Sequence, residues 1–335
     1  MNTLLAEAME IIKRLPEGGL EKAITALKEI KAECDAEKTK QLMPCPHCNG
    51  TKVVKNGRKH KKQAYLCKTC GSSFVETTKT IFENSHCGAS EWKQVIADTV
   101  HGVPIKETAA KLSLHHETVF NMRHKILFAI EQDEIKNPTQ LEGVCEADEV
   151  YILESFKGMK LPDDFWRKPR KHGAKATKSG LSREYICVCT GIERDNGRAV
   201  ATSVNRSTAG KDDIARVFGE RVGHSTILLS DGAKGYSVLA EMGKCSVLNA
   251  KTEKTNTSDN FYHINTVNGF HSFIKERNRE ARGFATKYLN RYNVLFSKVY
   301  RSTKAVVDDV FDLLTDMSSR SVTIQASQST GLLEI

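Results

Sequence analysis

The sequence has no run of about 18 consecutive apolar residues, the length a helix needs to cross a bilayer, so no membrane-spanning segment is expected. It also lacks the continuous apolar core of a secretory signal peptide: MNTLLAEAMEIIKRLPEGG is amphipathic and places Glu7 and Glu10 in its first turns. A cytoplasmic location is the expectation, and in a reducing compartment ten cysteines read as thiols and metal ligands rather than disulfides. No internal repeat is present, and 39% hydrophobic with 27% charged residues excludes a mainly disordered or fibrous chain. At 335 residues the chain is long enough for two or three folded units.

Acidic residues are missing between Asn49 and Lys68, where Lys52, Lys55, Arg58, Lys59, Lys61, Lys62 and Lys68 fall. A second basic run holds Lys157, Lys160, Arg167, Lys168, Arg170, Lys171, Lys175, Lys178 and Arg183. The whole chain carries 50 Lys and Arg against 41 Asp and Glu, a formal charge of +9 that favours a polyanionic partner such as nucleic acid. Either run alone would be explained by a solvated loop.

Residues 1–42 read as a helical segment, with Leu4, Leu5, Ala8, Ile11, Ile12 and Leu15, then Leu20, Ile24, Leu27 and Ile30, at helical spacing around a Pro16–Gly19 break. A structural role is expected for them. Residues 319–335 are polar and expected to be a flexible tail.

Between these ends, residues 43–85 are short, turn-rich and marked by two CxxC pairs, Cys45/Cys48 and Cys67/Cys70. Each pair makes a tight turn that aims two thiolates at one point, and the 18 residues between the pairs suffice for a hairpin that brings the turns together. Four thiolates close a tetrahedral zinc site, so a structural Zn²⁺ ribbon is expected, with the acid-free hairpin directed at DNA. His47 sits inside the first pair and is unnecessary as a ligand. Cys34, Cys87, Cys145, Cys187, Cys189 and Cys245 lack partner spacing.

Residues 88–135 read as a helix-turn-helix domain. Ser90 is placed to cap a first helix, Ile105–Leu112 forms a short second, and Ser113–His116 leads into a third. Ala109, Leu112, Leu114, Val119, Met122 and Ile126 would share a small core. That leaves His115, His116, Thr118, Asn121, Arg123, His124 and Lys125 to face a groove or phosphates.

Residues 140–318 alternate strand-like stretches, GVCEADEVYI, EYICVCTGIE, AVATSVN and TILLSD, with a helical pattern near Ile214–Val222 and helices from about Asn265, which predicts an α/β core. Strand alternation puts Glu146, Asp148 and Val150 on one face. Asp231 ends an apolar run and precedes a glycine, the look of a buried strand delivering a carboxylate at its C-terminal end. Two such carboxylates side by side can share Mg²⁺ or Mn²⁺ ions about 3.5–4 Å apart, the arrangement phosphodiester transfer needs. In HINTVNGFHSFIKERNREARG, Asn268, His271, Lys275 and Arg279 lie at spacings of 3, 4 and 4 and line one helix face.

The order of zinc ribbon, helix-turn-helix, ADEVYI, LLSDGAKGY and HINTVNGFHSFIKER resembles the bacterial insertion-sequence transposases that join an N-terminal zinc ribbon to a DDE-type, RNase H-like catalytic domain. The resemblance covers roughly residues 43–300. It implies that Asp148 and Asp231 are the first two metal-holding aspartates, that Asn268 stands at the third metal position, and that Lys275 is the basic residue seven positions on. Many members carry Glu where Asn268 stands; asparagine offers Mg²⁺ a carbonyl oxygen but no charge, so the second ion should be held more weakly. Glu276 and Glu280 are the alternatives for a third carboxylate, and His263 and His271 could assist.

The implied activity is divalent-metal-dependent DNA cleavage and strand transfer at terminal inverted repeats, by a nucleoid-associated homo-oligomer bound to double-stranded DNA, with the basic stretch from Lys157 to Lys178 gripping DNA. Two other classes remain open from sequence: a zinc-ribbon regulator with an inactive core, and a metal-dependent nuclease that cuts without joining.

Overall fold

The computed structural model describes residues 43–315, apart from 60–61, 81, 84, 162, 170–173, 179, 258–260, 282 and 301–302. The expected helical segment 1–42 and the tail 319–335 therefore lie outside the described residues. Two compact units are present, dividing after Thr78.

In the first unit a three-stranded antiparallel sheet, β1 (Val53–Lys59), β2 (Lys62–Cys67) and β3 (Ser73–Val75), follows the first CxxC turn. Its buried centre is only Cys45, Val53, Cys67 and Phe74, with Tyr65 stacked on Phe74 at 5.6 Å between centroids. So small a core cannot offset the entropy of ordering the segment, which makes a metal cross-link the expected source of its stability. Six of the seven β1 residues are exposed, Lys55, Arg58 and Lys59 among them.

The second unit begins with α1 (Ala89–Val100), α2 (Ile105–Leu112) and α3 (His116–Lys136). Ser90 does not cap α1: Gly88 is the N-cap, and the Ser90 hydroxyl donates to Glu91 at 3.0 Å. The α2 bounds agree with those read from sequence. The turn into α3 passes through Ser113 in the left-handed region, φ 53°, and His115 caps α3.

One expectation for α3 is overturned. Arg123 and His124, assigned to a DNA-facing surface, are 6% and 8% exposed. Arg123 donates to the Val103 carbonyl at 2.7 Å, and His124 is packed between Phe120 and Tyr288, at 4.2 and 4.1 Å between centroids. The reason is packing. Trp92, Val95 and Ile96 of α1 and Met122, Ile126 and Ile130 of α3 share a core with Val294 and Leu295 of α8 (Leu289–Val299) and Val306, Val310 and Leu314 of α9 (Thr303–Thr315). Segments 88–135 and 140–318, expected as separate domains, thus have one core in common. His115, His116 and Asn121 remain exposed at the start of α3.

The sheet of this unit contains β4 (Val144–Leu153), β5 (Tyr185–Glu193), β6 (Ala199–Arg206), β7 (Ile227–Ser230) and β8 (Ser246–Asn249), in the order β6-β5-β4-β7-β8. β4, β5 and β6 are antiparallel neighbours, while β7 runs parallel to β4 and β8 parallel to β7. An antiparallel meander extended from its first strand by two parallel strands is the RNase H-like arrangement. The helix α4 (Lys211–Phe218) makes the crossover from β6 to β7, starting and ending earlier than the sequence pattern suggested.

One sheet face packs Val150, Ile152, Ile186 and Val188 against Val267, Phe270 and Ile274 of α7 (Asn265–Glu280) and against Leu289 and Phe296 of α8. The other packs Cys145, Ala147, Cys187 and Cys189 against Ile214, Val217 and Phe218 of α4, together with Tyr236 and with Leu239 of α5 (Ser237–Glu241). The unpaired-looking cysteines of β4 and β5 are accordingly core residues. Short α6 (Ala250–Thr257) follows β8.

Candidate active site

Parallel pairing of β4 with β7 matches Glu146 to Leu229. Asp148 lies two residues beyond that last matched pair on β4 and Asp231 directly follows β7, near enough for its charge to act on the Asp148 carboxyl. The turn that follows depends on Gly232: its φ is +94°, and a Cβ there would sit 2.2 Å from Asn249 Nδ2 on β8. Asp231 Oδ1 accepts the Ala233 N–H at 3.0 Å, fixing the carboxylate at the end of the strand.

The Asp148 side chain is 19% exposed. Burial and, secondarily, the neighbouring Asp231 charge push its carboxyl up to about 6, against the opposing pull of the Glu149 backbone N–H, Lys251 and Lys275. Glu149, on the opposite sheet face, is pushed up to about 7 by burial and by the charges of Asp148 and Asp231; the Tyr236 hydroxyl lowers it, though that hydroxyl falls short of hydrogen-bond geometry to any partner. Asp148 and Asp231 are carboxylates, the donor type Mg²⁺ and Mn²⁺ take, and a cation beside Asp148 would offset the burial that disfavours its charge.

Glu146, two residues before Asp148, is fully buried and sits at the N-terminus of α7. It accepts the Val267 N–H at 2.9 Å and the Thr266 hydroxyl at 2.9 Å, and pairs with Arg194 Nε at 2.6 Å. A buried carboxylate at a helix N-terminus satisfies otherwise orphaned donors and is favoured by the helix dipole. It therefore sets the position of the helix carrying Asn268, His271 and Lys275. His263 belongs to this cluster rather than to Asp148: its Nδ1 lies 3.3 Å from Glu146 and 3.2 Å from Arg194 Nη2.

His271 is buried, with Nδ1 3.9 Å from Asp148 Oδ2 and Nε2 2.6 Å from Thr190 Oγ1. The Thr190 hydroxyl donates to the Asp148 carbonyl at 2.7 Å. Burial, then the Lys275 charge, lowers His271 to about 4, so its ring is neutral at pH 7. Asn268 and Lys275 are exposed, and they fall on the His271 side of α7, one turn before and one turn after it. Glu276 and Glu280 turn elsewhere, pairing with Arg279 at 3.4 Å and Arg277 at 3.6 Å. Arg277 in turn donates to the His101 carbonyl at 2.8 Å.

Lys251, Glu149, Glu146, Arg194 and Thr190 escaped the sequence reading as site residues. Thr190 and Glu146 did carry a signal, each a polar residue inside an apolar strand. Lys251 carried none, because its place depends on the short edge strand β8. In the basic connection between β4 and β5, Arg167 is turned inward, 3.3 Å from Glu154 and 4.3 Å above the Phe156 ring; Lys157 donates to the Gly283 carbonyl at 3.1 Å. Arg170 and Lys171 lie outside the described residues. A cavity of about 390 Å³, bordered by Ile130, Asn196, Lys298 and Leu313, includes none of the candidate site carboxylates.

In the first unit the four cysteine sulfurs lie within 4.8 Å of one another, with Cys45 to Cys70 at 3.7 Å and Cys48 to Cys67 at 3.6 Å. Sulfurs about 2.3 Å from a tetrahedral zinc ion are roughly 3.8 Å apart, so the set fits Zn²⁺ and could bind it. Hydrogen bonds from Ser72 lower the Cys70 thiol to about 6, toward the thiolate a metal requires. Among the described residues no helix is long and apolar enough to cross a membrane.

The RNase H-like sheet carries Asp148 on its first strand and Asp231 directly after its fourth. Residues 140–301 match the ISXO2-like transposase domain family. It is 23% identical over 253 residues to an uncharacterised protein in transposable element ISH50 of Halobacterium salinarum, covering 74% of this chain and 82% of that protein. Among solved structures, a Mos1 transposase paired-end complex with the left transposon end is 11% identical, covering 62% of this chain and 73% of that one, with a TM-score of 0.26. A pre-cleavage Mos1 transpososome is 9% identical, covering 92% of each chain, with a TM-score of 0.24.

Proposed function

We propose that this transposase binds the terminal inverted repeats of its element through the ribbon and the exposed start of α3, and cleaves and joins DNA strands at the RNase H-like site. The observation that supports the proposal is the RNase H-like strand order, with partly buried Asp148 on β4 and Asp231 directly after β7, its charge felt at Asp148.

Asp148 and Asp231 would hold Mg²⁺ or Mn²⁺, with the Asn268 side-chain carbonyl completing the set. A bound divalent ion of this kind activates a water or 3′-hydroxyl and neutralises charge on the departing oxygen. Around it, Lys275 and Lys251 neutralise DNA phosphate next to the reacting bond, and Glu146 holds α7 in place so that Asn268 and Lys275 stay aligned with the pair. Ordered Zn²⁺ in the ribbon supports recognition only, and synapsis of two ends calls for an oligomer.

The test is a gel assay with end-mimicking oligonucleotides and a target plasmid in Mg²⁺ or Mn²⁺. Wild type should bind, nick and join, while Asp148→Ala should bind without nicking. Nicking without joining would move the protein to the nuclease class, and equal activity in both proteins would overturn the proposal.

A further inference from the structure

We propose that the connection between β4 and β5 holds an unpaired nucleobase of the bound DNA, stacked on the half-exposed indole of Trp166. The assignment rests on the strand cleavage proposed at Asp148 and adds a DNA contact away from the carboxylates.

The chain has two tryptophans, in opposite surroundings. Trp92 is 1% exposed inside the helical core, whereas Trp166 is 48% exposed. The rings beside Trp166 serve as its support. Phe156 is buried and meets Phe165 edge-on at 5.0 Å between centroids, and Phe165 lies 6.3 Å from Trp166. The Arg167 guanidinium sits 4.3 Å above the Phe156 ring and 5.2 Å from the Trp166 ring. Packing thus covers the two phenylalanines and leaves a large flat ring at the solvent.

That ring stands on a fixed base. The buried Glu154 carboxylate accepts from Arg206 Nη2 at 2.6 Å and from Arg167 Nη2 at 3.3 Å, and the Glu154 carbonyl accepts from Arg167 at 2.9 Å. The Glu154 N–H donates to the Glu184 carbonyl at 2.8 Å, which closes the two ends of the connection on each other. Beyond α7, Thr286 donates its N–H to the Ser155 carbonyl at 2.9 Å and accepts the Ser155 N–H on its hydroxyl at 2.8 Å. A buried carboxylate shared by two guanidiniums is costly to disturb. A platform held in this way loses little freedom when something binds to it.

The charge around the ring identifies the occupant. Between Ser155 and Arg183 there are nine Lys and Arg against two acidic residues, Asp163 and Asp164. Lys160, Lys168 and Lys175 are exposed. Cationic side chains that track a backbone, with an aromatic face on which a base stacks, are the combination that holds a single nucleic acid strand. Within a duplex the bases already stack on one another, so the indole selects an unpaired one. Two copies of this chain meeting ring to ring would bring like charges together, which disfavours a protein on this face. The position also suits a strand cut at Asp148. At about 3.3 Å per residue, the end of β4 at Leu153 is roughly 17 Å from Asp148, the rise of about five nucleotides of one strand.

The experiment reads Trp166 fluorescence in the full-length, zinc-occupied protein without added Mg²⁺, as the difference between wild type and Trp166→Phe. The probes are a random-sequence duplex and the same duplex with about five nucleotides of one strand left unpaired. The unpaired probe should quench most of the difference signal, and the paired duplex should leave most of it. Trp166→Ala should bind the unpaired probe about tenfold more weakly while its affinity for the paired duplex stays nearly unchanged, and Trp166→Tyr should restore most of the loss. Equal quenching by the two probes, or equal affinity of Trp166→Ala and wild type for the unpaired one, would overturn the inference; end joining by wild type would then leave the proposed function standing. A difference signal that shifts with protein concentration in DNA-free solution would put a second copy on the ring and overturn it as well. Selective quenching by the unpaired probe in a protein that joins no ends would keep the Trp166 site and sink the proposed function instead.

Discussion

In the proposed site Asn268 stands where a third carboxylate would, and its missing charge would have a measurable cost. Replacing a neutral carbonyl donor by a carboxylate adds a charge beside the ion, so Asn268→Glu should lower the half-saturating Mg²⁺ concentration about tenfold, on the order of 1.4 kcal/mol, in a calorimetric titration. An unchanged titration would place Asn268 outside the ligand set. His124 makes a second residue-scale prediction. Burial, followed by Arg291, Arg123 and Lys287, depresses it to about 3. A depressed histidine contributes stability that is fully present above its unfolded value near 6.5 and is lost as pH falls from there toward 3. The thermal midpoint of wild type should therefore drop between pH 6.5 and 4 more steeply than that of His124→Leu; parallel curves would refute it. Asp148 and Asp231 stand out in the sequence because one interrupts an apolar strand and the other ends one. Arg123 and His124 were misjudged because helical spacing tells which residues share a face, but not whether a second helix covers that face, and here α8 covers it.

Among the elements, α7 is the one on which the site turns, and Glu146 is its anchor. Removing that carboxylate leaves Arg194 without its buried partner and the Val267 N–H without an acceptor. Glu146→Ala should cost about 3–5 kcal/mol in denaturant unfolding, the range for breaking a buried pair. Glu146→Gln, which keeps an acceptor for Val267, should cost less, and equal losses would argue against the anchoring role. Strands β4 to β7 could be read from alternation and apolar runs. β8 could not: it has four residues and none is buried. The RNase H-like order was accordingly legible as a resemblance before it was legible as a pattern, since pairing order is a property of long-range contacts that local periodicity does not encode.

At the scale of the whole molecule, the chain divides after Thr78, and the two units draw stability from different sources. The first has four buried core residues and a cluster of four cysteine sulfurs; the second has three apolar clusters spanning helices and sheet. Chelating zinc, or introducing Cys67→Ser, should unfold residues 43–78 and abolish specific end binding. The second unit should keep its thermal transition within a few degrees, as differential scanning calorimetry would show, and loss of both transitions together would contradict this division. A fragment of residues 79–136 should fail to fold alone, because Trp92 and Met122 pack in a core completed by α8 and α9. The central claim is that Asp148 holds the ion that drives strand joining, and metal-specificity rescue tests it most directly. In an end-joining assay Asp148→Cys should be inactive in Mg²⁺, which binds thiolate poorly, and regain joining in thiophilic Mn²⁺ or Cd²⁺, while wild type works in Mg²⁺. Joining by Asp148→Cys in Mg²⁺ at the wild-type rate would contradict the account.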